Sequence, residues 1–132
     1  MEITFYDPET APEAASWLAL DEAVRIALVQ EQHRRDALEE AGSNAHAALH
    51  VTVENQIAMG LGYVSDACAR LVAEGLSRHE AVHAIAAVLA GYMTELVRDK
   101  TPPALALARY QANCERISAE SWRSWVDEDS EP

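Results

Sequence analysis

The chain has 132 residues, 49% of them hydrophobic, and a formal net charge of −12. This length and apolar content suit one domain (1–132) with its own core and argue against global disorder. The acidic balance predicts no nucleic-acid partner and no anionic-membrane partner, since phosphate groups repel such a surface. It is compatible with a metal cation or a basic partner; a homo-oligomer or a partner protein is left open.

Residues 1–10 read as an N-terminal extension, in which ITFY at 3–6 is β-like. A first helix is expected over about residues 11–20, with Thr10 and Glu13 at capping-box spacing and Pro12 in the first turn. Asp21 can cap a second helix over about 22–41, closed by Gly42. Ser43 or Asn44 opens a third, about 45–59, ended by Gly60 and Gly62. A short fourth helix, about 64–74, stops at Gly75. Ser77 opens a fifth over about 78–98, and the Thr101-Pro102-Pro103 run breaks the chain. A sixth covers about 104–125, before an acidic tail at about 127–132. The expected architecture is an all-α, single-domain bundle of five to six helices.

Cys68 and Cys114 lack CxxC spacing. A cysteine zinc knuckle and a disulfide framework are therefore not expected, and the thiols read as reduced, which fits a cytoplasmic protein. The opening MEITFYDPET has neither a basic start nor an apolar run, so no signal peptide is expected. No apolar run is read as approaching the length of a membrane span.

The chemistry lies in the histidines. Of five, four form two i,i+4 pairs on expected helices: His46/His50 and His79/His83. In HAALHVTVEN, His46, His50 and Glu54 lie along one helix face beside Leu49, Val53 and Ile57. In RHEAVHAIAAVLA, His79 and His83 share a face with Val82, Ala86 and Leu89. Imidazoles that point toward packing need partners for both ring nitrogens, and a shared metal ion supplies them. The expected metal set is His46, His50, Glu54, His79 and His83, holding zinc, iron or manganese. His50, Glu54 and His83 are read as direct ligands, and His46 and His79 as ligands or as groups bonded to them. His33, in EQHRRD, is read as an exposed residue, with a ligand role as the alternative. The competing reading is a metal-free histidine network in a non-enzymatic interaction module.

His79, Glu80 and His83 also make H-E-x-x-H, the pattern of metallopeptidase helices. However, Ser77 and Glu80 make S-x-x-E, a capping box that accounts for Glu80 without catalysis. No extended third-ligand motif follows, and no edge strand is expected beside it. No P-loop, dinucleotide fingerprint or serine triad is found, so no nucleotide cofactor is indicated and no catalytic residue is assigned. Trp122 and Trp125 either pack the last helix onto the bundle or form a partner surface.

NAHAALHVTVENQIAMG followed by EGLSRHEAVHAIAAVLA resembles the core of a family of small bacterial proteins classed as a domain of unknown function, over roughly residues 17–96. The resemblance implies a bacterial origin and no activity. The order His33, His50-x3-Glu54, His79-x3-His83 is also similar to the ligand order of hemerythrin-like di-iron bundles, although no histidine follows His83.

Overall fold

The structure is a computed structural model and describes residues 3–36 and 44–130. Among these residues it is all-helical, with seven helices and no strand: α1 (Ala14–Leu18), α2 (Glu22–Asp36), α3 (Asn44–Ala58), α4 (Gly62–Ala73), α5 (Arg78–Val97), α6 (Pro103–Arg116) and α7 (Ala119–Ser130). The β-like 3–6 segment is not a strand. The expected stop at Gly42 and the Ser43 cap lie outside the described residues.

The helix count exceeds the expected five to six because the last expected helix is two. At Ile117 the backbone turns extended (φ −60°, ψ 138°). Ser118 and Ser121 then cap each other, the Ser121 N–H donating to Ser118 Oγ (3.0 Å) and the Ser118 N–H to Ser121 Oγ (3.1 Å). The Ala119 N–H donates to the Glu74 carboxylate (2.8 Å), a favourable charge at a helix N-terminus. Arg70 donates to the carbonyls of Cys114 and Ile117, both at 2.8 Å, closing the end of α6.

The first helix is also shorter than expected. Glu13 itself is its cap, accepting from the Ala15 and Ser16 N–H groups (2.9 and 3.1 Å), so Pro12 precedes the helix. The end of α4 follows expectation. Gly75 takes the left-handed region (φ 109°), and the Leu76 N–H reaches the Leu71 carbonyl (3.1 Å). Gly62 begins α4 and does not end α3.

Two apolar clusters flank the histidine-bearing helices. One comprises Tyr6, Trp17, Val29, Ala47 and Val51. The other is built on α4, α5 and α6 and includes Leu71, Val82, Ile85, Leu89 and Tyr110. Helix α3 supplies both, through Val51 and Val53. Asn55 ties the N-terminal part down by accepting from Trp17 Nε1 (2.9 Å) and Arg25 (2.8 Å). Cys68 and Cys114 are buried free thiols. Trp122 packs against the larger cluster, while Trp125, in edge contact with it, stays exposed.

One expectation about membrane spans is corrected. Helix α5 has 20 residues, and an 18-residue window within it has a mean hydropathy of 1.3, so by length and composition it is long and apolar enough to cross a bilayer. Its many alanines and aliphatics, with few charges, produce that value. About a third of that window, 33%, is buried, and α5 packs against α3, α4 and α6.

Candidate metal centre

Helix α3 packs against both α2 and α5, and the histidines converge where the three meet. His33 sits in the last turn of α2, one turn after Val29, which is fully buried. His33 is itself only 3% exposed, which corrects the exposed reading. That reading rested on its polar neighbours in sequence, but the 3.6-residue period puts it on the same inward face as Val29. His46 and His50 occupy successive turns of α3, and His50 is completely buried. His79 and His83 occupy the first two turns of α5, whose start is fixed by Ser77: its Oγ accepts from the Glu80 N–H (3.0 Å).

Nitrogen atoms of His33, His46, His50 and His83 all lie within 4.8 Å of one another, and these four residues could hold a metal ion. The His50 and His83 ring centroids are 4.2 Å apart with the planes at 87°. His79 lies next to the group, its ring centroid 4.6 Å from that of His83 and 5.8 Å from that of His50.

The tautomer of His33 follows from its neighbour. Its Nδ1 lies 2.8 Å from the Val29 carbonyl, which only accepts, so Nδ1 carries the proton. Nε2 of His33 is therefore a lone-pair donor, and it faces His46 Nε2 at 3.3 Å. A backbone carbonyl that orients an imidazole in this way is the usual support of a ligating histidine.

His83 and His50 are kept neutral. Burial, then the neighbouring His79, His46 and His33, push the His83 pKa down to about 3. His50 is pushed lower still, by burial first and then by His83, His33, His46 and His79. Neutral imidazoles present lone pairs with no proton to displace. Yet among the described residues neither ring nitrogen of His50, nor Nε2 of His83, has a hydrogen-bond partner. Each buried polar atom left so costs about 1–3 kcal/mol.

Glu54, read as a direct ligand, is engaged elsewhere. Its carboxylate is buried and accepts two hydrogen bonds from Arg78, both at 2.8 Å, and a short one from the Tyr6 hydroxyl. Arg78 is only 12% exposed and also donates to the Pro8 carbonyl (3.0 Å). The pair raises the Arg78 pKa against the opposing effect of burial, and burial followed by the Glu54 charge raises that of Tyr6. The structure thus brings together His46, His50 and His83 of the expected set, adds His33, sets His79 alongside, and turns Glu54 toward Arg78 and Tyr6. The i−4 apolar partner Val29 was the available signal for His33. Nothing local in the sequence pairs Arg78 with Glu54.

Ser77, His79, Glu80 and His83 line an open cleft of about 260 Å³. His83 therefore belongs both to the four-imidazole group and to a wall reached from solvent. No family model matches the chain, and comparison with curated proteins and with solved structures finds no match either.

Proposed function

We propose that this protein binds a transition metal ion through His33, His46, His50 and His83. The observation that carries this reading is His50: a fully buried imidazole, neutral, with neither ring nitrogen bonded to any of the described residues, amid three other imidazoles. One cation supplies a partner to one nitrogen of each imidazole. An all-imidazole donor set favours zinc or iron; manganese prefers oxygen donors, and the nearest buried carboxylate, Glu54, is held by Arg78. The order of His33, His50 and His83 along the chain is compatible with a hemerythrin-like arrangement, from which Glu54 departs.

A second reading has its own support. The near-perpendicular contact of His50 with His83 is a favourable edge-to-face packing that needs no ion. The chain is then a helical interaction module with a metal-free histidine network. Replacing His50 and His83 together by alanine separates the two. Under the metal reading the parent gains thermal stability on adding zinc or ferrous ion to chelator-treated protein, by about 2.7 kcal/mol at a free metal concentration 100 times the Kd. The double variant loses that response. A parent that shows no metal-dependent shift overturns the metal reading.

A further inference from the structure

Resting on that metal-binding reading, we propose that the segment 3–10 is a strap that gates the centre: the ion enters and leaves when the strap lifts, and Tyr6 is the latch that holds it down. The strap is non-helical and is tied to all three histidine-bearing helices. On α3, the Glu54 carboxylate accepts from the Tyr6 hydroxyl. On α2, Arg35 donates to the Tyr6 carbonyl (3.1 Å) and lies over the Phe5 ring, 4.0 Å from its centroid. On α5, the Arg78 side chain donates to the Pro8 carbonyl (3.0 Å), and its backbone N–H donates to the Glu9 carboxylate (3.0 Å). Within the strap, Asp7 accepts from the Glu9 and Thr10 N–H groups (3.0 and 3.1 Å), a local turn that lets this stretch move as one piece.

Two observations make the strap a gate. The first is the space beneath it. Residues 5–9 form one wall of a cavity of about 300 Å³, and Gln32, Arg35 and His79 form the others. The His79 ring centroid is 5.8 Å from those of both His33 and His50. The cavity therefore separates the strap from the edge of the histidine group. The second is how the nitrogens are sealed. Both ring nitrogens of His50 and Nε2 of His79 and His83 are buried, so the cleft beside Ser77 and Glu80 stops short of them. An ion reaches His50 only when part of the cover moves. The strap has no helical hydrogen bonds of its own, and Phe5 is 59% exposed, so it opens at a lower free energy than the packed helices. Tyr6, 1% exposed and 5.6 Å from Trp17 ring to ring, anchors it. A gate of this kind sets uptake and release together and leaves the affinity to the imidazoles.

Exchange kinetics test this. The chelator-treated full chain is mixed with zinc, with a dye reporting free zinc, and zinc-loaded protein is mixed with excess chromophoric chelator. The Arg35 side chain is exposed, so R35A loosens the strap without opening the core. It should raise both rates at least about tenfold, the scale of one hydrogen bond from a charged donor, with the Kd unchanged. Y6F, which keeps the ring and loses the hydroxyl, should act in the same direction. Zinc bound in full with rates unchanged in either folded variant overturns the gate while the metal-binding reading stands; if Y6F does not fold, R35A decides. Faster release with unchanged uptake, so that the Kd weakens in step, makes the segment a brace for the ligands and also overturns the gate. Failure of the parent to bind zinc or iron overturns both.

Discussion

Glu54→Ala should unfold the protein far more easily without emptying its metal centre. The Glu54 carboxylate is 1% exposed and holds both terminal nitrogens of Arg78 at 2.8 Å. Truncation leaves the Arg78 guanidinium, 12% exposed, without its counter-charge. Breaking a buried pair from one side typically costs about 3–5 kcal/mol. The Tyr6 hydroxyl loses its acceptor as well, which adds about 1–3 kcal/mol if no other group replaces it. Taking about 4 kcal/mol and a urea m-value near 1.5 kcal/mol/M, the unfolding midpoint falls by roughly 2.5 M. Glu54→Gln keeps one acceptor oxygen, which can serve Tyr6 and one Arg78 nitrogen, and should lose roughly half as much. Urea melts followed by circular dichroism, in chelator so that metal binding does not contribute, measure both. A midpoint drop under about 0.5 M for the alanine variant refutes the reasoning. So does a folded Glu54→Gln protein that no longer takes up metal, since the carboxylate would then belong to the centre.

Other consequences follow from the same contacts. Because burial lowers the folded-state pKa of His50 and His83, the unfolded chain binds more protons below about pH 6.5, the ordinary histidine value. The stability they contribute is complete above that pH and is lost as pH falls toward about 3, the His83 value. The slope is at most about 1.4 kcal/mol per pH unit per group, reduced for His83 by its partial exposure. Melting temperatures of chelator-treated protein that stay flat from pH 7 to 4 would contradict this. His33→Ala, which removes the nitrogen facing His46, should weaken metal binding at least about tenfold in a competitive chelator titration; unchanged affinity excludes His33 from the centre. Ser77→Ala should cost about 1 kcal/mol in urea melts through the lost cap and leave metal stoichiometry intact.

The parts legible in the sequence were those written in local periodicity. The i,i+4 spacing placed His46 with His50 and His79 with His83 on helix faces, and S-x-x-E marked the start of α5 at Ser77. The helical class followed from the same pattern and from the absence of proline between residues 13 and 101. What escaped was either too local or too distant. The break at Ile117–Ser118 rests on one extended residue and a serine pair within a run of good helix formers. The Glu54–Arg78 pair joins residues 24 apart, and Arg78 is separated from His79 by a single peptide bond while its side chain serves another purpose. His33 was hidden by polar neighbours, although Val29 one turn earlier marks its face as buried.

Elemental analysis of the full chain, purified without a histidine tag and from medium containing zinc and iron, tests the four-histidine centre most directly. About one equivalent of zinc or iron per chain is expected, falling to background in the H50A/H83A variant. A folded parent protein carrying less than about a tenth of an equivalent, and unable to take up either ion on titration, would contradict it.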